Sequence, residues 1–282
     1  MLPILSIASS AAAGGMYFTD RGVRPMSRGY AFVAGVDDAQ ALWYNPAGLA
    51  FAGDQIFLDL SLTLLESDFT RVDSGGNVLP TVSLDAPPIP IPMLAVTNDF
   101  GLEDWGFGLG IFAPNLIPLR WPKSVSVSGV DQPAPQRYSL YNVDGSAAVH
   151  IAAGAAWRPI PELSIGADVQ FVVGNLTTET ALSSCDRVLC TFPENPEWDA
   201  QSQMNLPLFS VFATFGATYV AGPVRVGASF QLPHTLGGTA TLKVRMPEAA
   251  IFDGAYVEGD QADVNLWMPW ILRLGIEVRP ID

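Results

Sequence analysis

Apolar residues recur at every second position over stretch after stretch of this chain. That is the period of a strand with one face against apolar surroundings. From Ile56 to Leu64 one face carries Ile56, Leu58, Leu60, Leu62 and Leu64, and the other Phe57, Asp59, Ser61 and Thr63. Leu163, Ile165, Ala167, Val169 and Phe171 likewise oppose Ser164, Gly166, Asp168 and Gln170. The split returns in Val224, Val226, Ala228, Phe230 and Leu232 against Arg225, Gly227, Ser229 and Gln231. It returns again in Ala240, Leu242, Val244 and Met246 against Thr239, Thr241, Lys243 and Arg245. Leu272, Leu274, Ile276 and Val278 then oppose Arg273, Gly275, Glu277 and Arg279. Trp105, Phe107, Leu109 and Ile111 face away from Gly106, Gly108 and Gly110, and 147–157 and 209–219 carry small residues on their second face. The pattern predicts an all-β chain of about nine strands.

The second face holds Gly, Ser and Thr with isolated Arg, Asp and Gln. An apolar exterior around a polar, partly filled interior is what a transmembrane antiparallel β-barrel requires. Mean hydropathy is positive, yet beyond residue 15 no run of about 18 consecutive apolar residues exists to make a helical span. Lipid then leaves only the closed barrel, since an open sheet edge has unmet hydrogen bonds there. The links agree. Short ones fall at Asn98 to Asp104, Arg158 to Glu162 and Val220 to Pro223, and long ones at 66–88, 114–137, 177–205 and 247–264. That alternation matches periplasmic turns and extracellular loops. Trp105, Trp157, Tyr219 and Trp267 stand near strand ends, where an interfacial aromatic girdle belongs.

Composition narrows the partners. Of 282 residues 49% are hydrophobic, and 26 Gly and 23 Pro are spread without a period, which excludes both a disordered chain and collagen. Lys and Arg number 14 against 28 Asp and Glu, a net charge of −14, so no basic patch is available to track nucleic acid. No phosphate-binding or dinucleotide motif occurs, and no cofactor is expected. The two histidines, His150 and His234, have no Gly-x-Ser-x-Gly elbow beside them, so an enzyme is not expected either. Cys185 and Cys190, with no third thiol or histidine nearby, predict a small disulfide ring in an exported loop, not a metal site.

Three regions follow. Residues 1–13 read as a signal peptide lacking its basic start. Residues 14–53, with Asp37-Asp38-Ala39 opening a short helix that Asn45-Pro46 breaks, read as a compact plug. Residues 54–282 read as barrel. Because the strands stop at Arg279-Pro-Ile-Asp without an even count or a terminal aromatic, the chain is expected to be C-terminally truncated.

The run Ala34-Gly35-Val36-Asp37-Asp38-Ala39 through Asn45-Pro46-Ala47-Gly48-Leu49 resembles the N-terminal hatch of the FadL/TodX-type outer-membrane transporters, with Val36 where that pattern has Ala. Trp105 to Gly110, Leu163 to Val173 and Leu266 to Pro280 agree in order and spacing, so the resemblance spans the chain after residue 13. It implies a fourteen-stranded barrel in the bacterial outer membrane that takes up long-chain fatty acids or other hydrophobic compounds, with Asp37, Asp38, Asn45, Pro46 and Ala47 in a hatch that moves. It also implies an inward kink in the third strand that opens the wall sideways. Here that place is Ala113-Pro114-Asn115, where Pro114 either disrupts the ladder or simply ends the strand.

Two further sets come from the residues themselves. The stretch from Phe112 to Trp121 is too apolar for an ordinary loop, so Phe112, Leu116, Ile117, Leu119 and Trp121 form either a capture surface or packing between loops. Arg225, Lys243, Arg245 and Arg273 fall on the predicted inner face, where each meets a carboxylate ligand or pairs with acids such as Asp168, Glu277 or those of the hatch. The expected partners are a hydrophobic small molecule and outer-membrane lipid, with the chain a monomer. The rival reading is a structural or adhesive barrel that transports nothing.

Overall fold

The computed structural model describes residues 21–73, 75–115, 119–184 and 195–279. Ten strands form one antiparallel sheet: β1 (Gln55–Thr63), β2 (Ile89–Asn98), β3 (Trp105–Asn115), β4 (Ala147–Ile160), β5 (Leu163–Ser183), β6 (Asp199–Ala221), β7 (Val224–Gln231), β8 (His234–Arg245), β9 (Gln261–Met268) and β10 (Ile271–Val278). Each strand from β2 to β6 pairs with its predecessor. β7 and β8 then both pair with β6, β10 lies on β7, and β9 on β8. The ten strands therefore fill eight positions in the wall. Pro233 interrupts one position between β7 and β8, and Pro269 interrupts the next between β9 and β10. Proline has no N–H to give a neighbour, so a ladder breaks where one is needed. Among the described residues β1 and β10 do not meet, and the wall is an open curved sheet.

The outward stripes are those the alternation predicts on most strands. Ile56, Leu58, Leu60 and Leu62 of β1 are exposed, as are Val169 and Phe171 of β5 and Leu272, Leu274 and Ile276 of β10. Their sequence neighbours Asp59, Asp168, Gln170, Ser229 and Gln231 are buried on the other face. Trp105 and Trp157 stack across the β3–β4 pair with centroids 5.9 Å apart.

β8 departs from the prediction. Pro233 shifts the alternation by one place, so Leu236 and Ala240 are buried on the inner face while Thr241, Lys243 and Arg245 point outward. A one-residue slip turns every side chain of a strand over. Lys243 and Arg245 are thus not lumen cations; Arg245 pairs with Glu248 at 3.2 Å on the exterior.

The same inversion happens in β6 without a break in register. Tyr219, Phe215, Val211 and Phe209 lie outward, and beyond them on that side come Asn205, Gln203 and Gln201. Inward, Thr218, Thr214 and Ser210 give way to Leu208, Leu206 and Met204. β5 inverts beside it, from Val173 to Asn175 and Thr177. From Tyr219 to Phe209 the strand runs about 33 Å, which at an ordinary tilt of about 40° is about 25 Å of depth, the height of a lipid-facing band. Both strands continue past it, into the stretch 177–205 that reads as loop from the sequence.

Residues 21–53 pack on the inner face. They comprise α1 (Val23–Ser27), α2 (Ala41–Tyr44) and a 3₁₀ turn (Pro46–Phe51). Leu42, Trp43 and Leu49 are buried with Met93, Ala95, Phe112, Ala152 and Ala156 of the wall.

Candidate functional site

The plug is seated where the wall is bare. Gly106, Gly166 and Gly227 meet Leu49, Pro46 and Ala34 so closely that an added methyl would lie 2.1, 2.6 and 2.6 Å from plug atoms. Such contacts need positions without a side chain. Wall side chains then satisfy the plug's backbone. Ser164 Oγ donates to Ala47 O at 2.7 Å, Ser229 Oγ to Tyr44 O at 2.7 Å, and Gln170 Nε2 to Leu42 O at 3.1 Å.

Asn45 is bonded on both sides of its amide. It is fully buried, its Nδ2 lies 3.0 Å from Val33 O, 3.2 Å from Ala217 O and 3.0 Å from Thr218 Oγ1, and its Oδ1 accepts from Ala47 N–H at 3.2 Å. Pro46 follows at the start of the 3₁₀ turn, where no N–H is required.

Asp37 and Asp38 hold the other end. Arg24 reaches Asp37 at 2.7 Å and Asp38 at 2.5 Å, and Arg279 of the wall reaches Asp37 at 2.9 Å. Arg225 lies 3.7 Å from Asp37 and 3.9 Å from Glu277, and Glu277 also takes Arg28 and Arg279. Burial raises the Asp37 carboxyl, but bonds from Arg24 and Arg279 outweigh it and hold the group below its usual range. Burial dominates at Asp38, which is raised despite Arg24. Arg225 is therefore engaged with Asp37 of the plug and Glu277 of the wall, and Arg273 lies over the Trp43 ring at 5.3 Å.

Above the plug a row of rings crosses the interior. Trp43 and Phe112 are 5.8 Å apart, Phe112 and His150 5.6 Å, His150 and Phe212 5.7 Å, and Phe212 stacks on His234 at 4.1 Å. The row leads into a second buried cluster of Val172, Leu206, Leu208, Leu236, Ala240 and Met268. Sequence reasoning considered His150 and His234 only as catalytic candidates and gave these rings no part in an apolar interior. Alternation around Pro233 and Pro269 was the available signal.

The proposed capture residues separate. Phe112 is 1% exposed inside the wall, and Trp121 is buried with Phe69, Val82 and Ala134 among the outer loops. Neither is a surface patch, because both apolar rings find partners in the folded chain. Leu119 is half-buried. Leu116, Ile117, Cys185, Cys190 and residues 1–13 lie outside the described residues, and Pro114 and Asn115 are described by backbone alone. At the mouth a cleft of about 370 Å³ is lined by Trp121, Leu140, Arg137, Glu179 and Asp199. Arg137 donates to Asp199 at 2.7 Å, and Tyr138 donates to the same carboxylate. Burial and that bond push the Tyr138 hydroxyl up to about 12.

In the wall, β3 pairs with β2 only as far as Phe112 opposite Met93, then shifts register against β4 between Phe112 and Asn115. β2 continues alone on β1 to Ile89. Pro90 and Pro92 lie in that unpaired stretch, a signal in the sequence beyond Pro114.

A wall apolar outside and polar inside, with residues 21–53 packed on its inner face, is that of a transmembrane β-barrel. Solved structures narrow this. A Pseudomonas aeruginosa FadL homologue matches with a TM-score of 0.69 at 14% identity, over 95% of this chain and 67% of that one. The P. putida toluene transporter TodX matches with TM-scores of 0.55 and 0.51 in two crystal structures, at 20% and 21% identity, over 84% and 86% of this chain. The chain has the FadL/TodX-type fold, and spans 61% and 64% of those two TodX chains, less than two thirds of their length. No protein-family model matches the sequence, and no curated protein does.

Proposed function

We propose that the protein is an outer-membrane uptake channel for long-chain fatty acids or other hydrophobic compounds, working without an energy source. The observation that carries this is the inversion of polarity along β5, β6 and β8. Outside the lipid-facing band, the wall turns its apolar side chains inward, where they form a buried apolar cluster next to the rings above the plug. An adhesive barrel has no need of such a lining. Burying each CH₂ of a ligand there is worth about 0.8 kcal/mol, enough to draw an acyl chain or aromatic ring inward from the mouth cleft.

Passage then requires residues 21–53 to shift, since Leu42, Trp43 and Leu49 fill the interior. The stretch where β3 has left β2, at Ala113-Pro114-Asn115 opposite Pro92, is the route by which a ligand leaves sideways. The resemblance to FadL and TodX folds supports the same reading. Uptake of labelled oleate and of labelled toluene by cells with and without the gene tests it. Equal uptake of both would leave the adhesive barrel standing.

A further inference from the structure

Pro92 is the first residue beyond the last β2–β3 rung, and its carbonyl accepts a 3.0 Å bond from Arg21 Nη2. Arg21 is 3% exposed and its guanidinium lies over the Phe112 ring, 5.1 Å from the centroid. Its backbone is held in both directions by one side chain: Arg21 N–H donates to the Tyr44 hydroxyl at 3.1 Å, and that hydroxyl donates to Arg21 O at 2.8 Å. The head is less well served. Among the described residues Nε and Nη1 are buried without a hydrogen-bond partner, and no carboxylate forms an ion pair with the group. Asp59 is the acid whose charge reaches it from β1.

A buried guanidinium with unmet donors is costly, and the cost is relieved by an oxyanion. Burial draws the group down to about 10, against the pull of Asp59 and Tyr44, so it still carries its charge at neutral pH. Phe112 under the guanidinium and Met93 opposite it on the last rung are buried apolar groups of the plug cluster, which an alkyl chain meets once residues 21–53 shift.

We propose that Arg21, at the inner lip of the β2–β3 separation, binds the carboxylate head of an acyl-chain amphiphile whose tail lies against Phe112 and Met93. The proposal deepens the uptake reading and rests on it. It makes the sideways route selective for anionic amphiphiles over neutral hydrocarbons of the same length.

Binding of oleate and of its neutral isostere oleyl alcohol to the purified protein in detergent tests this. The expected result is that wild type prefers oleate at least tenfold, that Arg21→Gln removes the preference without changing oleyl alcohol, and that Arg21→Lys restores part of it. Equal affinities of wild type for the two ligands overturn the proposal with no variant needed, and leave the uptake reading intact. Binding of neither overturns both. If phosphatidylglycerol, not oleate, is the ligand that Arg21→Gln weakens, the site holds membrane lipid and the proposal falls.

Discussion

Asn45 and Gly216 meet with no space between them: a methyl on Gly216 would lie 2.1 Å from Asn45 Oδ1, with Pro46 Cδ and Ala47 N within 3.0 Å. A plug side chain bonded to Val33, Ala217 and Thr218 is thus pressed onto bare wall backbone, and the two elements specify each other.

Gly216→Ala should loosen the plug. Asn45 has no free direction in which to retreat, so overpacking should cost about 1–3 kcal/mol. Gly166→Ala, which meets the Pro46 carbonyl and Ala47 N at 2.6 Å, should act alike. Limited proteolysis of outer-membrane vesicles reads this as faster cleavage within 21–53 while the wall stays intact. Protection equal to wild type would show that the seat is not needed.

The anchor at Asp37 should depend on pH in a definite direction. Its folded-state carboxyl lies below the ordinary 3.8, so its stabilisation is complete above 3.8 and is lost as pH falls through the lower folded value. Asp38 is raised, so ionising it opposes folding as pH rises. At pH 7 Asp37→Asn should weaken plug protection by about 1–2 kcal/mol, and Asp38→Asn by less. As pH falls below 3.8 the gap between wild type and Asp37→Asn should narrow, and a gap that stays constant there would contradict the ion-pair account.

The lipid-facing band can be mapped with one residue type. Val169→Arg on β5 should cost about 2–4 kcal/mol, the cost of a cation facing the bilayer midplane. Thr241→Arg, also outward but on β8 beyond Pro233, should cost nearly nothing. Folding into lipid vesicles, read by heat-modifiable gel mobility, separates the two. Equal losses would place Thr241 in lipid and remove the inversion.

Closing the β2–β3 separation should slow exit. Replacing Pro92 and Pro114 together by Val restores donors on both strands, so the ladder can extend beyond Met93 and Phe112. Release of bound oleate should fall severalfold with capture unchanged. An unaltered release rate would take this opening out of the path.

Much of this was legible in the chain. The stripes of β1, β5, β7 and β10 follow from alternation, which is a property of a few neighbouring residues, and Asn45-Pro46 ends α2 as a breaker should. The orientation of Lys243 and Arg245 was not legible, because a proline changes parity by one and only the partner strand shows where counting resumes. Phe112 and Trp121 were equally opaque: an apolar ring in a linking segment reads as surface until its partners, Trp43 for one and Phe69 for the other, arrive from distant parts of the chain.

By itself, then, the sequence determined an outward oily face and a polar inner one, since local period and charge decide these. The tertiary structure alone decided where the faces exchange, which arginines meet the plug acids, and that Arg21 ends beside a parted pair of strands. Those outcomes depend on contacts between residues far apart in the chain, and no local pattern encodes them.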